Sequence, residues 1–184
     1  GEINLDELKN SITDETVLIS IMFANNEIGT IQNIAEIGKI AHEYDVLFHT
    51  DAAQALGHVP IDVKQMNIDL MSMSSHKIYG PKGIGALYIR SILPRVKINS
   101  IVYGGGQERN IRSGTLNVPG IVGFAKAVEI AIDEMEAENK KYKKWTGTML
   151  EKFSAVGGKL NGHLSNRLSH NLNIRFDGVQ SKSI

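Results

Sequence analysis

Three short apolar runs, each followed by polar residues, constrain the fold of this chain more than any other feature. The runs are "TVLISIMF" (16–23), "VLFHT" (46–50) and "IDLMSMS" (68–74), and each has the length and composition of a buried strand. Between the first two lies "NIAEIGKIAHEY", where apolar residues recur at helical spacing after Asn33, a residue type that caps helices. The pattern predicts an α/β unit with three parallel strands, and a further short helix after Asp51.

The second half of the chain has a different pattern. "IGALYIR" (84–90) follows a glycine loop and is typical of a fourth strand. A long helix is predicted to begin at "VPGIVGF" (118–124), with proline in its first turn, and to continue through the Lys-rich segment up to "LEKF" (150–153). "HNLNIRF" (170–176) is interpreted as a strand. The predicted fold class is therefore α/β, with three α/β/α layers, a mainly parallel sheet, and part of a small α+β C-terminal domain.

Composition narrows the classes of partner. Twenty basic and twenty acidic residues cancel, which argues against direct nucleic-acid binding and favours a small-molecule ligand. No cysteine is present, which fits a reducing compartment, and no apolar run approaches the roughly 18 residues of a membrane span. We therefore predict a cytoplasmic protein without a membrane partner. The start at Gly1 and the end just after a strand-like run suggest a piece of a longer protein.

Polar side chains follow each of the three parallel strands. Open α/β sheets bind ligands at the carboxyl edge of their strands, so the convergence of these side chains predicts a binding site there. The residues are Asn25 and Asn26 after the first strand, Asp51 and Gln54 after the second, and Ser74, His76 and Lys77 after the third.

Lys77 is the candidate with the most distinctive setting. A single lysine is most often an exposed surface residue. Lys77, however, follows an apolar strand and precedes "IYGPKGIG", whose glycines allow the backbone to approach a ligand closely. A lysine held partly desolvated at a sheet edge can serve as an amine for Schiff-base chemistry. Lys82 competes for this role but lies between Pro81 and Gly83 in a predicted turn, so we rank it lower.

Asp51 has two compatible interpretations. Its carboxylate can cap the short helix predicted to follow it, or it can keep a pyridine nitrogen protonated in an electron-sink cofactor. Ser74, His76 and the loop amides offer donors for a phosphate, and "GGGQERNIRSGT" (104–115) offers a second glycine-rich, arginine-bearing stretch. The chain lacks the common nucleotide-binding fingerprints.

No metal site is predicted from the sequence. The remaining histidines show no metal-ligand spacing and are expected at the surface: His42, His58, His163 and His170.

Four motifs, in this order and spacing, resemble those of the cysteine desulfurases of the NifS and IscS type. They are "FANNEIGTIQNI", "FHTDAAQALGHVPIDV", "MSMSSHKIYGPKGIGALYIR" and "GGGQERNIRSGTLNVPGIVGFAKA". These enzymes belong to the class V aminotransferase group of fold-type I pyridoxal phosphate enzymes. The resemblance implies that residues 1–120 form part of the large cofactor-binding domain, 121–145 a long connecting helix, and 146–184 an incomplete small C-terminal domain.

The resemblance assigns roles around the cofactor ring. Lys77 would form the Schiff base with pyridoxal 5'-phosphate, and Asp51 would pair with its pyridine nitrogen. Gln54 would hydrogen-bond the phenolic oxygen, and Asn26 would lie near that oxygen and the substrate carboxylate.

It also assigns roles around the phosphate and the entrance. Ser74 and His76 would bind the phosphate. Thr115 would reach the phosphate of a neighbouring subunit, which implies a homodimer, and Arg112 would lie at the mouth of the site.

The implied reaction converts L-cysteine to L-alanine and passes the sulfur to an enzyme cysteine, for iron–sulfur cluster assembly or tRNA thiolation through acceptor proteins. That cysteine is expected beyond residue 184, so the chain alone is expected to be inactive. Alternatives within the group are a selenocysteine lyase or another class V aminotransferase. A different class of alternative is a non-catalytic scaffold that binds no cofactor.

Overall fold

A computed structural model describes residues 1–180 of the chain. It contains three helices and six strands, and two short 3-10 helices, Ser75–Ile78 and Glu108–Asn110, lie in the connections. The helices are α1 (Leu5–Ser11), α2 (Ile34–Glu43) and α3 (Val118–Ala155). The strands are β1 (Leu18–Met22), β2 (Leu47–Asp51), β3 (Leu70–Ser74), β4 (Gly85–Ile89), β5 (Lys159–Leu160) and β6 (Ile174–Arg175).

The main sheet has the order β1-β2-β3-β4. β1, β2 and β3 are parallel, and β4 returns antiparallel against β3. Ile19 pairs with Phe48 and Thr50 with Met71, so the apolar run of each strand is in register with the next. The predicted α/β class with a mainly parallel sheet is confirmed.

One face of this sheet carries the core. Helix α2 buries Ile34, Ile37 and Ala41 completely or nearly so, and they pack in one cluster with Ile19 and Phe48 of the strands, because their spacing puts the apolar side chains on one side of the helix. The opposite face is more exposed within the described residues, with Leu18, Met22 and Leu87 all more than two-fifths exposed.

The short helix predicted after Asp51 is not formed. Residues 53–59 make a series of turns, with backbone bonds from Ala55 and Leu56 to the Ala52 carbonyl. A helix cannot continue through Gly57, because its φ of +74° is in the left-handed region. A Cβ at Gly57 would lie 2.7 Å from the Ala131 Cβ on α3, so the turn and α3 are in direct contact.

Helix α3 begins where the sequence predicts. The side chain of its N-cap residue, Asn117, accepts a hydrogen bond from the Gly120 amide, and Pro119 occupies the first turn. The helix then runs to Ala155, so it extends past both ends of the predicted connecting segment 121–145. Exposed residues dominate its length, since only Gly120 and Phe124 are buried.

The C-terminal part forms a second, small sheet. β5 and β6 pair antiparallel through Leu160 and Ile174, so "HNLNIRF" contains a strand of two residues. The last four residues of the predicted unit 146–184 lie outside the described residues. None of the helices in residues 1–180 has the combination of length and apolarity needed to cross a bilayer.

Candidate active site

The three parallel strands end side by side. The Phe23 amide donates to the Asp51 carbonyl at 2.8 Å, and the Ala52 amide donates to the Ser72 carbonyl at 2.9 Å. These bonds continue the ladder beyond the strand ends, so the loops that follow β1, β2 and β3 start from one edge. The predicted cluster around Asn26, Asp51 and Ser74 therefore begins at a common edge of the sheet.

Lys77 lies in the 3-10 helix that follows β3 directly. In that helix Ser75 and Ile78 are buried, whereas His76 and Lys77 are exposed. Tyr79 then adopts a left-handed conformation with φ 63°, and the Gly80 amide returns to the Ser75 carbonyl at 3.1 Å. The buried residues hold the turn, and Lys77 is exposed instead of partly desolvated as expected, which leaves its amine accessible to a ligand. Lys82 is also exposed, in the turn before β4.

Asp51 keeps an oxygen for a ligand. Its Oδ1 accepts a hydrogen bond from the Ala53 amide at 2.9 Å, which orients the carboxylate and closes the turn after β2. Within residues 1–180 its Oδ2 has no hydrogen-bond donor. The capping and cofactor interpretations are thus compatible in geometry, although the carboxylate caps a turn instead of the predicted helix. Gln54 follows in the same turn and is half-buried.

Ser74 and His76 are in direct contact. The Ser74 Oγ and His76 Nδ1 lie 2.9 Å apart, so one side chain holds the other. A hydroxyl can donate to a phosphate while it accepts from an imidazole N–H, and a protonated ring donates from both nitrogens. The pair therefore forms a small donor group next to Lys77.

The two asparagines after β1 have different surroundings. Asn25 Oδ1 accepts from the amides of Glu27, at 2.8 Å, and Ile28, at 3.0 Å, which forms a tight turn. The Asn26 side chain is exposed and makes no hydrogen bond among the described residues. Asn25 thus shapes the loop, and Asn26 is the one with a free amide to offer a ligand.

Arg112 and Thr115 lie apart from these strand ends along the chain, in the loop before α3. That loop is closed by a bond from the Ser113 amide to the Val102 carbonyl at 3.3 Å and by one from the Gly114 amide to Gln107 Oε1 at 2.8 Å. Arg112 and Thr115 are both exposed and form no hydrogen bond with the other predicted site residues in the described part of the chain.

The prediction that all four remaining histidines lie at the surface is wrong for two of them. His58 and His170 are half-buried with ring centroids 4.3 Å apart. Burial lowers the pKa of His58, while a hydrogen bond to the Lys77 backbone and the charge of Glu138 oppose this. Burial, reinforced by His58, lowers the pKa of His170 to about 4. No pattern in the sequence pairs two histidines so far apart in the chain.

Comparison with known proteins gives the class first. The family model for class V aminotransferases matches residues 1–184, so the chain belongs to the class V aminotransferase family. Within it, the chain is 54% identical to "Cysteine desulfurase IscS" of Methanosarcina thermophila, over all of this chain and 45% of that protein.

Solved structures of related proteins have the same fold as this chain. A "NifS-like protein" superposes with a TM-score of 0.92 at 38% identity, covering 98% of this chain and 49% of the other. "SspA in complex with cysteine" superposes with a TM-score of 0.78 at 39% identity, covering 96% and 48%. The chain thus spans about half the length of the relatives it matches.

Proposed function

We propose that the protein to which this chain belongs is a pyridoxal 5'-phosphate-dependent cysteine desulfurase that converts L-cysteine to L-alanine. The observation that carries the proposal is the arrangement at the sheet edge: an accessible amine, an oriented carboxylate and a hydroxyl–imidazole pair follow adjacent strands, at Lys77, Asp51, Ser74 and His76. The high identity to cysteine desulfurases and the likeness to a structure in complex with cysteine support this choice of substrate.

The residues present fit the cofactor in chemical type. Pyridoxal phosphate needs an amine for its aldehyde, an anion for its ring nitrogen and donors for its phosphate. Lys77 Nζ would hold the aldehyde carbon, Asp51 Oδ2 would accept from the ring N–H, and Ser74 and His76 would donate to the phosphate oxygens. Gln54 would hydrogen-bond the phenolic oxygen, and Asn26 would lie near that oxygen. When bound, the cofactor supplies a ring that stabilises negative charge on the substrate Cα.

The side chains of this chain would then act on protons and charge. Once the substrate amine has displaced it, Lys77 Nζ would take the proton from the substrate Cα and return one to the product. Asn26 would orient the substrate carboxylate, and Arg112 would lie at the entrance. The cysteine that accepts the sulfur is not among the 184 residues, and the proposal places it elsewhere in the protein.

We further propose a homodimer in which Thr115 reaches the phosphate in the other subunit. Large apolar side chains on the same connection between β4 and α3 support this, since Leu93, Ile101 and Tyr103 are each at least 85% exposed. Sulfur-acceptor proteins are the expected further partners, and the cytoplasm is the predicted compartment.

The first test is cofactor capture by Lys77. Incubation with pyridoxal phosphate should give a visible absorption band that borohydride removes, absent in Lys77→Ala and retained in Lys82→Ala. A band that persists in Lys77→Ala but disappears in Lys82→Ala would refute the choice of lysine. No band in the wild type would favour the scaffold alternative.

The second test separates the reactions. The protein with its complete catalytic apparatus should release alanine from L-cysteine in the presence of a thiol reductant. Alanine from selenocysteine alone would identify a selenocysteine lyase, and transfer of the amino group to a keto acid would identify an aminotransferase.

A further inference from the structure

The loop that carries Asn26 is held from outside by a distant part of the chain, the segment 161–173. The Leu168 amide donates to the Gly29 carbonyl at 2.8 Å, and the Ile31 amide donates to the Asn166 carbonyl at 3.0 Å. The His163 amide donates to Thr30 Oγ1 at 3.1 Å. These bonds fix the far end of the loop, at Gly29–Ile31.

Asn171 holds the near end of the loop. Its Nδ2 lies 3.2 Å from the carbonyl oxygen of Asn26 and 3.1 Å from that of Glu27, so one amide group donates to two successive carbonyls. Asn173 Nδ2 adds a third bond to the same region, at 3.2 Å from the Glu27 carbonyl. The backbone of Asn26 is therefore anchored through side chains of the segment 161–173.

The orientation of the Asn171 amide is set by its neighbours. Arg167 Nη2 donates to Asn171 Oδ1 at 3.2 Å and to the Asn171 carbonyl at 3.0 Å. A guanidinium only donates and a carbonyl only accepts, so the oxygen must face Arg167 and the NH₂ must face the loop. Only one orientation of the Asn171 side-chain amide therefore allows all of these hydrogen bonds.

Packing reinforces the contact at Gly29. This residue has φ +74°, and a Cβ added to it would lie 2.7 to 2.9 Å from the Asn171 side chain. Asn171 thus occupies the space beside the Gly29 backbone, and the loop and the asparagine fit against each other without a gap.

We propose that Asn171 is a positioning residue for Asn26: by donating to the Asn26 and Glu27 carbonyls it fixes the backbone from which the Asn26 side chain reaches the site. This inference rests on the proposed function for what Asn26 contacts. The anchoring itself can be tested without cofactor.

Asn171→Asp is the sharpest variant, because it changes one atom. A carboxylate keeps the acceptor for Arg167 but replaces the donor with an oxygen that repels the two carbonyls. The segment should stay docked through Arg167 while the Asn26 end of the loop is released. Asn139→Asp is the matched control, since Asn139 Nδ2 also donates to a backbone carbonyl, that of His58 at 2.8 Å, makes no hydrogen bond to the Asn26 loop among the described residues, and keeps its acceptor for Ser169 in the variant.

The first measurement is hydrogen exchange of peptides covering 24–31 in the wild type and both variants, without cofactor. Asn171→Asp should accelerate exchange of the Glu27 to Gly29 amides at least about tenfold, whereas Asn139→Asp should leave them unchanged. Equal exchange in wild type and Asn171→Asp would overturn the proposal.

The second measurement is the affinity for pyridoxal phosphate, followed by the borohydride-sensitive band. Asn171→Asp should weaken binding several-fold or shift the band, and Asn139→Asp should do neither. A released loop with unchanged affinity and spectrum would also overturn the positioning role. If the wild type shows no band, the proposed function fails, and the exchange experiment still decides whether Asn171 anchors the loop.

Discussion

Asp51 closes a turn of the fold and, in the proposed function, also takes part in the chemistry. Its Oδ1 closes the turn after β2, and its second oxygen is left for a ligand. The two roles can be separated because asparagine retains an acceptor for the Ala53 amide but carries no charge.

We therefore expect Asp51→Asn to keep the melting temperature within about 2 °C of the wild type, whereas Asp51→Ala loses about 1 kcal/mol with the cap. Both variants should lower the rate of alanine formation from cysteine at least about a hundredfold in the complete enzyme, because neither can pair with a ring N–H. Wild-type turnover by Asp51→Asn would show that the carboxylate has only the turn-closing role.

Asp69 is fully buried, and its carboxylate holds parts of the fold together. Arg90 Nε lies 2.7 Å from Oδ1, and His42 Nε2 and the Phe48 amide lie 3.0 and 2.8 Å from Oδ2. The group thus joins α2, β2 and the end of β4 at the start of β3. Oδ2 accepts hydrogen bonds from His42 and Phe48, and Oδ1 is paired with the Arg90 charge, so the buried carboxylate is compensated.

Asp69→Ala should lower the free energy of unfolding by about 3–5 kcal/mol, since it leaves the Arg90 charge and the Phe48 amide without their partner. Asp14→Ala, at an exposed aspartate, should change it by less than about 0.5 kcal/mol. Urea denaturation of both variants measures the difference. A loss of under 1 kcal/mol for Asp69→Ala would contradict this account of the core.

At the scale of elements, the stacked His58 and His170 join three parts of the chain. His170 lies in the connection between β5 and β6, and its ring centroid is 6.0 Å from that of Tyr142 on α3. His58 belongs to the turn after β2. The groups facing the pair include Glu138 and Tyr142 on α3, whose mutual hydrogen bond raises the pKa of Tyr142. The pair therefore lies where α3, the turn after β2 and the C-terminal segment pack together.

This contact should make stability depend on pH. The pKa of His170 is about 4 in the folded chain and 6.5 ordinarily, so the unfolded chain binds its proton first as the pH falls. The contribution is complete above pH 6.5 and is lost progressively down to about pH 4, and His58 acts in the same direction.

His170→Phe should flatten the decline of the melting temperature between pH 7 and pH 4.5, because the packed ring is kept and the titrating group is removed. His163→Asn, in the same segment, should retain the wild-type slope. Thermal melts at half-unit intervals measure both. An unchanged slope in His170→Phe would mean that other groups govern the acid response.

Prediction from sequence succeeded where local pattern decides the outcome. The helical periodicity from Ile34 to Ala41 predicted α2, and the apolar runs that end near Asp51 and Ser74 predicted β2 and β3, because buried elements have apolar residues in these patterns. It failed at residues 53–59, where Gly57 has a positive φ and turns form instead of the expected helix. Asp69, the His58–His170 pair and Asn171 were also missed, since their partners are distant in the sequence.

At the scale of the whole molecule, the exposed apolar side chains between β4 and α3 lead to a prediction about assembly. Leu93→Asp combined with Ile101→Asp should convert the proposed dimer to a monomer in sedimentation velocity, because two charges would have to be desolvated in the proposed interface. Leu164→Asp, at a residue 73% exposed outside this connection, is the control and should leave the mass unchanged. An intact dimer in the double variant would place the interface elsewhere.

The bonds between Asn171 and the Asn26 loop also bear on how the protein is made. The two residues are 145 positions apart, so at about 5–20 residues per second the ribosome takes roughly 7 to 30 s to synthesise the second after the first. Throughout that interval β1 and α2 can form from local sequence, but the loop between them has no anchor. The loop at the proposed ligand-binding edge is thus anchored only after residue 171 has been synthesised, and a chain truncated before that residue would carry the sheet without an anchored Asn26 loop.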